Sequence, residues 1–217
     1  FNRMDKIVDL DERLHRYRQL QIAMSQIVFP PQVNAETRGF YQELARNLED
    51  SIQKSERRTE LNRKINLYKN AVGVYNSIND RIKKAEQKVK DKKYAVASRE
   101  FYLLSLEMGS KITYFKQPSS SLAEASGIDK GVDGKDKPFN GAELLTAMQE
   151  RQFYAAFKSL ESRFNIWANA DNAAEARSRL AEIQAELEAL SKEKGVSTQT
   201  KGFVDDLIKA VKQEIID

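Results

Sequence analysis

The sequence predicts an all-α fold, elongated rather than globular, and three observations lead there. Only 4 prolines and 9 glycines punctuate the 217 residues. The prolines fall in two places, so long stretches lack breakers and favour helix over a meander of short strands. Apolar residues recur at three- and four-residue steps along most of the chain. The composition, 41% hydrophobic and 31% charged, is tilted towards surface and suits a molecule with a high surface-to-volume ratio.

The first amphipathic helix is expected over residues 3–28. Met4, Ile7, Val8, Leu10, Leu14, Tyr17, Met24, Ile27 and Val28 mark its apolar face, and Phe29-Pro30-Pro31 stops it. Proline has no amide hydrogen, and its ring disfavours helix in the residue before it. Asn34 is a suitable N-cap for the next helix. Phe40, Leu44, Leu48 and Ile52 then share a face, and residues 53–60 are wholly polar. Beyond them lies a seam of Leu61, Ile65, Tyr68, Val72, Tyr75, Ile78, Ile82, Ala85 and Val89. Its spacing averages close to the 3.5 residues of a coiled coil. Residues 34–91 form either one helix, about 87 Å long at 1.5 Å per residue, or two collinear helices joined near the polar stretch.

Residues 93–115 are expected to form the next helix, with Tyr94, Ala97, Phe101, Leu104 and Met108 on one face. Residues 116–139 carry Pro118, three serines, Gly127, Gly131, Gly134 and Pro138 and read as a long flexible loop. Helices are then expected near 140–150, 152–168, 171–194 and 199–216. Gly195 would sit at the C′ position of the third, and Ser197 or Thr198 would cap the last. The chain thus divides into an extended N-terminal helical arm, 1–91, and a C-terminal helical cluster, 92–217. It opens on Phe1, and an earlier segment, of which a signal peptide is one kind, is expected ahead of it.

Two stretches look alike. Tyr94, Ala97, Phe101 and Leu104 follow a pair of lysines; Phe153, Ala156 and Leu160 follow Arg151-Gln152. A small residue one turn after an aromatic lets a neighbouring helix approach closely, and the large residues flank the contact. The pattern resembles the second helix of a tetratricopeptide repeat and implies helical hairpins packed in that way. Such repeats recur at a period near 34, whereas positions 94 and 153 lie 59 apart. Two ordinary amphipathic helices that coincide in pattern account for it equally well.

Residues that could carry chemistry are sparse. With no cysteine there is no disulfide or thiolate chemistry, and His15 is the only histidine. It reads as a solvated helix-surface residue, and its solitude removes the His-bearing metal sites built from several helices. Asp129, Asp133 and Gly134 match positions 1, 5 and 6 of a calcium loop, but Gly131 and Asn140 stand where ligands are required at 3 and 12. A flexible Asp- and Gly-rich turn is the expectation instead. Arg81–Lys93 is rich in lysine, notably Lys83, Lys84 and Lys88. A net charge of only +4 points it towards an acidic protein partner rather than nucleic acid. Glu182, Glu186 and Glu188 read as an exposed helix surface. No phosphate loop, nucleophile elbow or zinc-helix motif occurs, and no apolar run reaches the roughly 20 residues that span a bilayer. The expected protein is therefore not an enzyme, uses no cofactor or metal, and does not insert into membranes.

Aromatic side chains carry more weight. Eleven of the chain's 19 (Phe 10, Tyr 8, Trp 1) lie between Tyr94 and Trp167, which predicts a packed hub. At its rim Tyr114, Phe115 and Trp167, with Lys83, Lys84 and Lys88, are the candidate partner-contact residues, because aromatics carry interface energy well. The long basic helix with Tyr68-Lys-Asn-Ala-Val-Gly-Val-Tyr75, the segment Lys92-Lys-Tyr-Ala-Val-Ala97 and the pair Phe101-Tyr102 together resemble the flagellar coiling proteins of spirochaetes. That resemblance lies in helix layout, size and composition. It implies a periplasmic structural protein of the flagellar filament sheath, making lateral contacts with filament or sheath subunits, and leaves self-association open. The other functional class is a helical-repeat adaptor that holds a peptide or protein in a groove floored by small residues. A coiled-coil dimer on 61–89 is a third.

Overall fold

The computed structural model describes residues 7–130 and 135–216. The protein is all-α, with one small two-stranded sheet among the described residues: α1 Leu10–Ser25, α2 Ala35–Lys90, α3 Tyr94–Phe115, β1 Ser126–Lys130, β2 Asp136–Asn140, α4 Gly141–Trp167, α5 Ala173–Leu190 and α6 Thr198–Ile216. It divides between Asn66 and Leu67 into two compact units.

In the first unit α1 and the start of α2 form an antiparallel hairpin. Tyr17, Met24, Leu48 and Ile52 make its buried core. Arg18–Glu56 at 2.7 Å and Gln21–Glu49 at 2.6 Å fix the register, and the Tyr41 hydroxyl donates to the Met24 carbonyl. α1 is shorter than its apolar pattern. The Asp9 carboxylate accepts from the amides of Asp11 and Glu12 and so starts the helix there; of the expected range, residues 3–6 lie outside the described residues. Ile27 and Val28 are exposed beyond its end, where the approach to Pro30-Pro31 favours extended backbone. Phe40 is also exposed, at 69%. Its neighbour Tyr41 packs instead, edge-on to Phe29 at 4.8 Å. Asn34 caps α2 as expected, its side chain accepting from Thr37 N at 2.8 Å.

α2 is one continuous helix of 56 residues. The polar stretch 53–60 does not interrupt it, because none of its side chains breaks a helix and ion pairs such as Arg63–Glu60 at 2.8 Å support its exposed face. α2 ends in a Schellman turn: Lys93 N bonds Lys88 O at 2.8 Å, Lys92 N bonds Val89 O at 2.9 Å, and Lys92 takes a left-handed φ of 59°. The turn lays α3 antiparallel against the end of α2, where Arg81 pairs with Glu107 at 2.6 Å and Lys88 pairs with Glu100. Ala71, Ile78, Ile82 and Ala85 are buried, and the Tyr68 ring lies 5.3 Å from Phe139. The second unit therefore begins within α2, at Leu67, whereas the sequence pattern suggests a division at 91/92.

Residues 116–139 are not a plain loop. After two 3-10 turns, Pro118–Ser120 and Leu122–Glu124, β1 and β2 pair antiparallel with Ser126 opposite Asn140 and Lys130 opposite Asp136. Ile128 faces Pro138 across the pair, a tolerable place for proline in a two-stranded ribbon made only of edges. The helices expected at 140–150 and 152–168 are one helix, α4, since Glu150-Arg151-Gln152 contains no breaker. Asn140 caps it, accepting from Ala142 N and Glu143 N. α4 packs along α3 and also contacts α5 and α6. Phe153, Phe157 and Leu160 of α4, Leu180, Ile183 and Leu187 of α5, and Val204 and Val211 of α6 form a buried core. α5 starts after its cap Asn172 and ends at Leu190, so Gly195, at φ 81°, lies in the following connection and not at the helix end. Ser197 caps α6, its hydroxyl accepting from Thr200 N at 3.2 Å.

Candidate interaction surface

α3 is the helix from which the candidate surface is built. Ala97, Phe101, Leu104, Met108, Ile112 and Phe115 occupy its buried side. Yet the sequence Phe101-Tyr-Leu-Leu-Ser-Leu106 is apolar at too many successive positions to hide on one side of a helix. Val96, Tyr102, Leu103, Leu106 and Tyr114 consequently face outwards, each about half exposed. Tyr102, Leu103 and Leu106 lie within one turn of one another, and Val96 and Tyr114 flank them about two turns away on either side; such a half-exposed apolar row is a candidate interaction site.

This outer face is bordered by α2. Arg81, Lys84 and Lys88 lie at helical spacing and line a cleft with Glu100, Leu103 and Leu104. Glu107 and Glu100 engage Arg81 and Lys88, while Lys84 and Arg99 have no ion-pair partner among the described residues. On the opposite border, α3, α4 and α5 enclose an open groove of about 600 Å³. Ala95, Ser98, Ala156, Ser159 and Ala189 line it, with Tyr102, Leu160 and Leu190 as apolar walls and Arg99, Arg163, Glu186 and Glu193 as charges. Small residues let the helices come close here: the Ser159 hydroxyl donates to the Ser98 carbonyl at 3.0 Å, and Ala97 and Ala155 are fully buried. The two look-alike stretches lie on α3 and α4, which pack along each other, but in sequence α3 is followed by the β-hairpin and not by a helical partner.

The candidate contact residues separate. Tyr114 is exposed at 48%, whereas Phe115 is 1% exposed; one residue on from an outward side chain, a helix has turned by about 100°, which takes Phe115 into the core. Trp167 is half-buried against the α4–α6 core, and the Arg179 guanidinium stands 5.9 Å from its ring, so it serves packing. Lys83 pairs with Asp80 at 3.2 Å, both well exposed, and does not line the cleft. Lys84 and Lys88 border the patch. Val96, Arg99, Tyr102, Leu103 and Leu106 are members that the apolar periodicity passes over, because it weights the buried stripe.

Titration of the polar groups is structural in character. Burial, then the hydrogen bond donated to Glu86 at 2.6 Å, raises the Tyr154 phenol well above its ordinary range. A folded-state value raised above the unfolded value of about 10 means that this contribution to stability is whole below pH 10. It is lost as pH climbs towards the folded value. The wild-type denaturation midpoint should therefore fall more between pH 10 and 12 than that of Tyr154→Phe, which has no proton to lose; parallel curves would contradict the assignment. The hydrogen bond from Arg63 lowers the Glu60 carboxyl, and that from Gln184 lowers Glu188; both are surface groups.

No set of three or more His, Cys, Asp or Glu among the described residues could hold a metal ion. Asp129 sits in β1 and pairs with Lys69 at 2.8 Å, while Gly131, Asp133 and Gly134 of the calcium-loop pattern lie outside the described residues. His15 is exposed. No helix among the described residues is long and apolar enough to cross a membrane. Comparison with protein-family models, with curated proteins and with solved structures gave no match.

Proposed function

We propose that this chain is a non-catalytic structural protein that docks on other proteins through the outer face of α3, and that its setting is the sheath of a spirochaete flagellar filament. The single observation that carries the docking is the outward row Val96, Tyr102, Leu103, Leu106 and Tyr114 on a helix whose other side is core. Leaving such a patch in water forgoes roughly 25 cal/mol per Å² of apolar burial, and a partner recovers it. The sheath setting rests on the resemblance of the Tyr68–Tyr75 and Lys92–Ala97 segments.

Immunogold labelling of isolated filaments tests the setting: decoration along the filament is expected, and label confined to the soluble fraction overturns it. Leu103→Lys tests the docking. It should release the chain from its assembly while leaving its circular dichroism unchanged, since Leu103 is half exposed. Unaltered attachment would remove the α3 face from the function.

The small-residue lining of the α3–α4–α5 groove favours a second reading, an adaptor that holds a peptide there. Ala189 lies on that lining and is exposed, so Ala189→Trp would fill the groove without disturbing the core. Loss of partner binding in that variant, with Leu103→Lys silent, would select this reading.

A further inference from the structure

We infer that the occupant of the α3 face is an acidic amphipathic helix of another protein, a proposal that rests on the docking reading above. The face is a straight row along one helix, a shape that a second helix laid beside it can follow. Val96, Arg99, Leu103, Leu106, Ser110 and Tyr114 follow one another at steps of three and four, the spacing at which one helix receives the side chains of another. From Val96 to Tyr114 the row is about 27 Å long, so it accommodates an occupant of about five turns.

Charge specifies the sign. Lys84 borders the row beside Leu103, and Arg99 stands within it, neither holding an ion-pair partner among the described residues. Arg81 and Lys88 add charge that Glu107 and Glu100 balance. Glu193 shares the groove with Arg99 and offsets one charge, so the balance of Lys84 and Arg99 remains positive, and it lies beside apolar side chains that a partner would dry. A cation left unpaired in that setting is costly, so carboxylates must border the occupant's apolar seam and one must meet Arg99. A second copy of this face is disfavoured because its nearby carboxylates, Glu100 and Glu107, already pair with Lys88 and Arg81 and leave none for Arg99 or Lys84.

The test uses the full chain and two synthetic helical peptides of equal length that share a leucine seam. One has glutamate at every flanking position and the other lysine, and binding is followed by fluorescence anisotropy at low salt. The glutamate peptide should bind at least about tenfold more tightly, since like-charge juxtaposition opposes the other. The double variant Lys84→Glu/Arg99→Glu, altered only on the surface, should reverse the preference. Equal binding of the two peptides, both weakened by Leu103→Lys, would overturn the acidic partner and keep the docking face. Binding of neither peptide, or binding that Leu103→Lys leaves unchanged, would overturn the proposal; if Leu103→Lys also leaves the native assembly intact, the docking reading falls with it. Binding to phosphatidylglycerol vesicles in preference to the glutamate peptide would reassign the face to a lipid surface and overturn the proposal.

Discussion

Phe115→Ala should destabilise the second unit by about 4 kcal/mol, the usual cost of emptying a buried phenylalanine site, whereas Tyr114→Ala should cost only about 1 kcal/mol, the value of an edge-to-face aromatic contact. The two rings touch edge to face at 5.2 Å, so chemistry and location barely distinguish them. Burial does: Phe115 is 1% exposed and Tyr114 48%. Urea denaturation followed by circular dichroism reads the difference directly. Heat would show it as a loss of about 10 °C in Tm for Phe115→Ala, at roughly 2–4 °C per kcal/mol for a unit of this size. Equal effects from the two substitutions would mean that α3 is rotated relative to the structure described.

The second large effect belongs to Gly141, where the hairpin meets α4. Gly141 N donates to Ala125 O at 2.8 Å. A Cβ built on Gly141 would stand 1.8 Å from the Leu122 carbonyl oxygen and 2.9 Å from that of Ala125. These are backbone atoms that no rotamer change can move, so Gly141→Ala must push the 3-10 turn off the helix. The expected cost is about 3 kcal/mol, the upper part of the range for overpacking, and it outweighs the roughly 1 kcal/mol by which alanine is the better helix former. Gly73 is the control. It lies in α2 with nothing within 4 Å of its would-be Cβ, and Gly73→Ala should stabilise by about 1 kcal/mol. If both substitutions stabilise, the close approach at Gly141 does not exist.

Helix class, the cap at Asn34, the cap at Ser197 or Thr198 (the structure chose Ser197) and the buried stripe of α3 were legible in the residues, because each depends on neighbours within a turn or two. The β-hairpin was not. Ser126–Lys130 and Asp136–Asn140 carry glycine, proline and charges that read as a loop. An isolated two-stranded ribbon is marginal in water; here distant contacts hold it, Phe139 against Tyr68 and Asp129 against Lys69. The candidate surface was half legible. Tyr114, Lys84 and Lys88 follow from composition, but Phe115 and Trp167 fall on the core side. Leu103 and Leu106 give no signal of their own, because leucines in an apolar helix suggest burial.

By itself the sequence determined an all-α protein with long breaker-free stretches and a surplus of apolar side chains between residues 94 and 115. Local rules suffice for that, since hydrogen bonds four residues apart, caps and breakers act over short range. That Ala35–Lys90 is one helix came from the structure. Only the tertiary structure decided which of those apolar side chains remain uncovered. A helix has one periphery and its neighbours reach only part of it, so the placement of α2 and α4 leaves Val96, Tyr102, Leu103, Leu106 and Tyr114 facing water.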